Sequence, residues 1–398
     1  MKKILLIGYY GVNNIGDDFF LSKIIKNLTE KGYRKNDIYV FTTDKILIEE
    51  KYGIKTLVNK PKFKIGLFNF IYSLFKYINA FKKVDLVLYG GGTQIQEFGK
   101  NSYKPLIFKV LYLLVNRLVY KNPVIHFAVG IDQMKTPIGK ISTKLIYKLS
   151  DKFILRDIYS NNYLNQVTNS DKDNKLILST DLAFDKELQN VGMNNPIEPL
   201  ALKLQSNKKI NICIAMFPVF FKQYHSKEKQ QKFDRELIDL INYLNETGRY
   251  NVNLIGFQEG YGNGDSNYMS DVFDCLKNKE NVVIHPYNNN YHEVIQFIYQ
   301  MDICIGMRLH FIIFSLLMNK PTIALNYHCK IDQIMKTLRL ENLIVDINEW
   351  DHKEIIDKIV DIKEDNAQIK ENIKQSVEKE ILKSDRLFDD LIKIIEGA

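Results

Sequence analysis

Aliphatic residues gather along this chain in short runs, each emptying into a glycine-rich or polar loop, with longer helical patterns between them. The first run, Lys3 to Gly8, leads through the loop Tyr9 to Gly16 into a helical pattern from Asp17. Asp37 to Phe41 follows, then Val84 to Tyr89 ending at Gly90-Gly91-Gly92, Pro123 to Val129 ending at Gly130, and Phe153 to Leu155 ending at Arg156-Asp157. A run that is apolar throughout, rather than alternating, suits a strand covered on both faces, as strands are in parallel sheets. Strand–helix alternation of this kind predicts a parallel sheet with crossover helices. Ligands on such sheets lie at the carboxyl ends of the strands, where all these loops fall.

Glu187 to Lys209, with Gly192, Pro196, Pro199 and a polar lysine-bearing stretch, interrupts the alternation and reads as a linker. The pattern restarts at Ile210 to Ala215, continues through a helix over Phe233 to Asn245, and then gives Val252 to Gly256, Val282 to Ile284, Ile303 to Gly306 and Thr322 to Leu325. From Glu354 onward, Ile, Val and Leu recur at helical spacing among charged residues. The expectation is α/β: two Rossmann-like, doubly wound domains, residues 1–190 and 205–345, with C-terminal helices over 346–398.

Composition narrows the function classes. The 398 residues carry a formal net charge of +8, which favours acidic partners. Basic and acidic residues are interleaved, with no arginine tract and no RNA-binding or zinc-finger signature, so nucleic acid is not the expected partner. Cys213, Cys275, Cys304 and Cys329 lack C-x-x-C spacing and read as small buried hydrophobes in a reducing compartment, not as a metal site. The aliphatic start is broken at once by Tyr9, Asn13 and Asp17, which argues against an export signal, and no apolar run reaches bilayer-spanning length. A cytoplasmic protein is expected. Phe63 to Phe81 and Pro105 to Tyr120 mix aromatic and aliphatic residues with lysine and arginine. They fit either helices packed on a sheet or basic amphipathic surfaces resting on an anionic membrane.

The densest candidate chemistry is Gly306-Met307-Arg308-Leu309-His310, directly after an apolar strand and before the apolar helical stretch Phe311 to Met318. A guanidinium and an imidazole at a helix mouth suit a phosphate or carboxylate, and the imidazole can move protons near neutral pH. Lys330 follows the next strand. Arg156 supplies a cation in the first half, with Asp157 and Ser160 suited to a helix start. Were the halves to face one cleft, Arg156, Arg308 and Lys330 could converge on a ligand of two to three negative charges. The simpler alternatives are a strand-to-helix salt bridge for Arg308 and a surface turn for Arg156-Asp157. The first loop lacks both G-x-G-x-x-G spacing and a P-loop lysine. Its amides at Gly11 and Asn14, with Asp17, suit sugar hydroxyls, as do the backbone at Gly91 and Gly92 and the side chain of Gln94 or Gln96, though either loop reads equally as a purely structural turn.

Taken in order, Gly8-Tyr9-Tyr10-Gly11, Asn14-Ile15-Gly16-Asp17-Asp18, the run Gly90 to Gly92, Gly130-Ile131, Arg156-Asp157 with Ser160, Asp181 with Phe184, and Met307-Arg308-Leu309-His310 resemble the polysaccharide pyruvyl transferase family. The resemblance runs from residue 3 to about Lys330. Asp132 departs from it, standing where many relatives carry proline or another small residue. The resemblance implies a GT-B-like fold with an acceptor-side first domain, a donor-side second domain and a cleft between them. It implies phosphoenolpyruvate as donor substrate, no further cofactor or metal, and a pyruvate ketal on a cell-envelope or exopolysaccharide glycan as product. Donor-binding and catalytic roles fall on Arg156, Arg308, His310 and Lys330, with an acceptor that is free or lipid-linked. Two other readings stay open: a GT-B glycosyltransferase using a nucleotide sugar, and a catalytically idle glycan-binding protein that kept the fold.

Overall fold

A computed structural model describes residues 1–42, 44–59, 67–97, 103–169, 174–194, 209–222, 224–259 and 264–397. The chain divides into two compact units, one of Met1–Val12, Gly16–Leu182 and Lys383–Ala398, the other of Asn13–Ile15 and Ala183–Leu382.

In the first unit the strands are β1 (Ile4–Ile7), β2 (Ile38–Thr42), β3 (Lys55–Asn59), β4 (Leu86–Gly90), β5 (Thr93–Ile95), β6 (Val124–Ile131), β7 (Lys152–Leu155) and β8 (Leu176–Leu178). They form one parallel sheet in the order β3-β2-β1-β4-β6-β7-β8, with β5 added to β6. The apolar runs are strands for the reason their sequence suggests: every residue of β1, β4 and β6 is buried. The helices are α1 (Ile15–Glu30), α2 (Lys45–Tyr52), α3 (Leu67–Phe81), α4 (Lys104–Val115), continued by a π-turn over Asn116–Tyr120, α5 (Pro137–Leu149) and α6 (Ile158–Thr168). Helix starts follow local chemistry. Thr136 Oγ1 accepts the Gly139 N–H ahead of Pro137, and Asp157 Oδ1 accepts the Ser160 N–H.

Helices α3, α4 and α5 pack side by side on one sheet face. Tyr77, Phe81, Tyr112, Leu113 and Ile146 share a core there with Leu5, Val87 and Tyr89. Of the two stretches left open between a sheet-packed helix and an amphipathic surface, both are therefore sheet-packed helices on their inner faces. Phe63 to Gly66 lie outside the described residues.

The second unit begins differently from expectation. Lys186–Asn194, which takes in the start of the anticipated linker, is helix α7. It packs on a helix of this unit, and Gln189 Nε2 donates to the Leu317 carbonyl at 3.0 Å. Residues 195–208 lie outside the described set. Strands β9 (Ile210–Ala215), β10 (Tyr250–Ile255), β11 (Val282–His285), β12 (Ile303–Gly306), β13 (Thr322–Asn326) and β14 (Ile344–Asp346) pair in parallel in the order β11-β10-β9-β12-β13-β14. The helices are α8 (Val219–Lys222), α9 (Lys227–Glu246), α10 (Asp265–Asp274), α11 (Tyr291–Tyr299), α12 (Leu309–Leu317), α13 (Cys329–Thr337), α14 (His352–Glu364) and α15 (Asn366–Gly397). The C-terminal helices are not a separate body: α14 and α15 as far as Leu382 belong to the second unit, and the remainder of α15 to the first. Cys213 and Cys304 are buried as expected, but Cys275 is exposed and Cys329 half-buried, because both fall at helix ends rather than in strands.

Both sheets reverse direction of growth between their first and fourth parallel strands, β1 beside β4 and β9 beside β12. Doubly wound folds open a crevice at this switch point, at the strands' carboxyl ends.

Candidate active site

At the switch point of the first unit, Gly91 and Gly92 have φ of 64° and 66°, a left-handed conformation that side chains other than glycine rarely adopt. Much of the glycine requirement here is packing. A Cβ on Gly91 would lie 2.4 Å from the Phe20 ring, and one on Gly90 2.5 Å from Ile24 and 2.7 Å from the Tyr10 hydroxyl. Tyr10 itself is buried and its hydroxyl donates to the Gly90 carbonyl at 2.7 Å. Gly11 follows it at φ 73°. A Cβ on Gly92 would stand 3.2 Å from Asp17 Oδ1, which places that carboxylate on the glycine turn, and Gln94 Nε2 donates to the Gly91 carbonyl at 2.9 Å.

Arg156 joins this group from the end of β7. Its Nη2 donates to Thr93 Oγ1 at 3.3 Å, and the guanidinium covers Gly130, whose Cβ would meet Nε at 3.0 Å. The Gly130 N–H donates in turn to the Gly92 carbonyl at 2.8 Å. The side chain is 4% exposed, with Nη1 donating to Asp181 at 2.9 Å and Nε 3.6 Å from Asp157. Arg156 is thus no surface turn. It is a buried guanidinium held between two carboxylates beneath the glycine loops. Gly92, Gln94, Asp17 and Arg156 are brought together in this unit.

Asn14 is not among them. Residues 13–15 belong to the second unit, where Asn14 forms an antiparallel bridge with Gln258, Glu259 N–H donates to the Asn13 carbonyl at 2.9 Å, and Ile15 N–H donates to Phe257 at 3.3 Å. Asn13 allows the turn by taking φ of 52°.

The second unit's switch point is built around Arg308. Gly306 ends β12 where a Cβ would meet the Phe311 ring at 2.3 Å and the Ala215 carbonyl at 3.1 Å, so strand and helix approach as closely as a backbone allows. Arg308 then stands at the N-cap of α12 in extended conformation. Its Nε and Nη2 donate to the two oxygens of Asp265 at 3.0 and 2.6 Å, a bidentate fork, and its Cζ lies 3.9 Å from the centre of the Phe217 ring. Asp265, 1% exposed at its side chain, is fixed by the Gln258 N–H at 3.1 Å. The salt bridge read as the simpler alternative for Arg308 exists, though it reaches α10 rather than tying β12 to its own helix.

His310 sits half-buried in the first turn of α12, its ring 6.2 Å from that of Phe314. Lys330 occupies the first turn of α13, where the His328 ring accepts its backbone N–H at 3.3 Å. Both helices begin at the carboxyl edge of the sheet, so their positive ends face the same way as Arg308.

Several residues here carry no motif in the sequence. Asp265 and Phe217 fix Arg308. Tyr327 stacks edgewise on Phe217 at 5.3 Å, and the Tyr224 hydroxyl donates to the Tyr327 carbonyl at 3.1 Å. Lys222, at the end of α8, has its pKa lowered by partial burial; Asp265 opposes that shift and Arg308 adds to it, which marks Lys222 as a further cation of this cluster. A salt bridge for Arg308 was foreseeable from sequence, but its partner was not, since Asp265 lies 43 positions away. Among the described residues no group of three or more His, Cys, Asp or Glu is placed to hold a metal ion, and no helix is long and apolar enough to cross a membrane.

Two doubly wound parallel domains with charged groups at their switch points define a two-domain α/β protein of the GT-B type. The chain belongs to the polysaccharide pyruvyl transferase family, which it matches over residues 14–328. It is 25% identical to the amylovoran biosynthesis protein AmsJ of Erwinia amylovora, over 99% of this chain and 100% of that one. Similar solved structures include UDP-GlcNAc 2-epimerase of Neisseria meningitidis bound to UDP-GlcNAc, with TM-score 0.66, 14% identity and coverage of 98% and 99% of the two chains. Another is the Anabaena protein HepE in complex with UDP and glucose, with TM-score 0.61, 14% identity and full coverage of both. At such identities the likeness speaks for the fold.

Proposed function

We propose that this protein transfers the pyruvyl group of phosphoenolpyruvate onto a sugar of a cell-envelope or exopolysaccharide glycan, closing a ketal across two hydroxyls. The observation that carries the reading is the family match, which extends through Arg308 and His310. A relative named for exopolysaccharide synthesis supports the acceptor class.

In this reading the donor lies with the second unit. Arg308, Lys330 and the first turns of α12 and α13 neutralise its phosphate and carboxylate, while the Asp265 fork and the Phe217 ring keep the guanidinium from swinging. One sugar hydroxyl adds to C2 of the enol as C3 gains a proton. The second hydroxyl then bonds to C2, the C2–O bond to phosphate breaks, and both hydroxyl protons are accounted for by the new methyl group and the departing phosphate. His310 serves as the acid–base group. Within the first unit, Gly11, Gly91, Gly92, Gln94 and Asp17 suit sugar hydroxyls, with Arg156 as the buried cation beneath them. The reaction needs no redox partner, because addition and displacement leave the oxidation level of the pyruvyl carbons balanced.

The nucleotide-bound neighbours favour a second reading, a glycosyltransferase using a nucleotide sugar. A donor screen separates the two: phosphate release from phosphoenolpyruvate that depends on added glycan is expected, with a mass gain on the glycan. Release of nucleotide from a sugar donor, with phosphoenolpyruvate untouched, would replace the first reading by the second; glycan binding without either release would make the chain an idle binder. His310→Ala should lower kcat by roughly 10²–10⁴. Undiminished turnover removes His310 from the chemistry.

A further inference from the structure

The outward faces of α3, α4, the π-turn and α5 gather many of the exposed large hydrophobes among the described residues. On α3, Tyr72 and Phe75 are 53% and 59% exposed, with Lys76 Nζ 4.5 Å above the Tyr72 ring. On α4 and its π-turn, Ile107 and Leu114 are exposed, and Leu118 and Val119 are exposed to 68% and 63%. On α5, Ile138, Ile141 and Leu145 form an exposed apolar stripe at i, i+3, i+7, with exposed Lys140, Lys144 and Lys148 in a parallel row. These helices are neighbours on one core, so their outward faces adjoin.

Single exposed hydrophobes are ordinary, but a contiguous patch on adjacent helices marks an interaction site. Its charge decides the partner. The four segments contain no Asp or Glu at all, while Lys76, Lys104 and the α5 lysines carry positive charge; Arg117 is paired with Asp151 at 3.1 Å. A polar hollow of about 410 Å³ beside α3, lined by Lys45, Lys76 and Lys83 with Thr56 and Asn79, adds cations at this edge. A glycan or nucleic acid has no use for so many aliphatic side chains. A second copy in a symmetric pair would set lysines against lysines. Aromatic and aliphatic side chains flanked by lysines that can extend their charges outward are what an anionic bilayer surface accepts.

We propose that this face of the first unit docks in the plane of an anionic lipid bilayer, independently of which donor the protein uses. The test is co-sedimentation of the full chain with vesicles of phosphatidylcholine alone or with added phosphatidylglycerol, at low and high salt. Binding is expected only with the anionic lipid and should weaken with salt. The triple variant Lys140→Glu/Lys144→Glu/Lys148→Glu should bind on the order of a hundredfold more weakly, at about fivefold per lysine near the surface. Leu118→Asp/Ile141→Asp should lose roughly tenfold or more by removing apolar burial. Both change exposed positions, and unaltered thermal melts would show that the fold survives. The proposal is overturned if the protein stays in the supernatant with anionic vesicles or if both variants still sediment like the parent. It is equally overturned if ultracentrifugation shows a dimer that these substitutions dissociate.

Discussion

Asp265 and Arg308 show how a residue-scale contact ties fold to site. A forked pair with one partner fully buried gains its strength from both hydrogen bonds together, and removing one partner strands the other charge. Asp265→Ala should therefore destabilise the second unit by about 2–3 kcal/mol, below the usual figure for a fully buried pair because Arg308 is 18% exposed. Urea unfolding followed by the fluorescence of Trp350 reads this directly, since the only tryptophan is buried against Phe233 at 5.3 Å. Arg308→Lys keeps a charge yet cannot make the fork or lie flat on Phe217, so it should cost less stability than Asp265→Ala while still raising KM for phosphoenolpyruvate. If KM stays unchanged in Arg308→Lys, the guanidinium serves the fold alone. Arg308 was visible in the sequence because a charged residue at the end of an apolar strand stands out. Asp265 was not, since a carboxylate opening a polar helix is ordinary until its distant partner is known.

At the scale of elements, the strands were the legible part. Full burial of β1, β4 and β12 forces uninterrupted apolar runs, and a run of that kind is readable without its neighbours. The boundary between units was less so. Helix α7 looks like linker because Gly192 interrupts its pattern, yet that glycine lets the helix approach its neighbour: a Cβ there would lie 2.4 Å from Met318 Sδ. Asn14 looks like part of the first loop, and only the bridge to Gln258 assigns it to the other unit. The junction of β12 with α12 gives a prediction of the same kind. Gly306→Ala puts a methyl group into the Phe311 ring and against the Ala215 carbonyl, so α12 must shift and carry Arg308 and His310 with it. Overpacking of this sort costs about 1–3 kcal/mol. A lower thermal midpoint together with reduced kcat is expected. A variant with unchanged turnover would mean that the placement of α12 does not set the chemistry.

At the scale of the whole molecule, one buried and one half-buried histidine, in different units, should add to the response to acid. His126 lies in β6, stacked at 7° between Tyr89 and Phe153 with ring centres 4.6 and 4.1 Å away, and its Nε2 is 3.1 Å from Ser150 Oγ. Burial, reinforced by Lys109 and Lys175, holds its pKa well below the ordinary imidazole value. His285, beside Asn253 and Phe297, is pushed down to about 4 by burial. Above about pH 7 both rings are neutral folded or unfolded, and neither contributes a pH dependence. Below the unfolded pKa of about 6.5, the unfolded chain takes up protons that the folded chain refuses. Stability therefore falls as pH falls, by up to about 1.4 kcal/mol per pH unit for each ring, with the half-buried His285 contributing less through solvent screening. Its share of the loss ends near pH 4. His126→Phe keeps the aromatic stack, and Ser150 Oγ retains its bond to the Ile146 carbonyl at 2.8 Å, so this variant removes the titration with little else. Calorimetry from pH 7.5 to 4.5 should show a shallower decline for His126→Phe than for the parent, and shallower still for His126→Phe/His285→Gln. Parallel slopes for all three would mean that carboxylates, not these rings, set the acid limit of the fold.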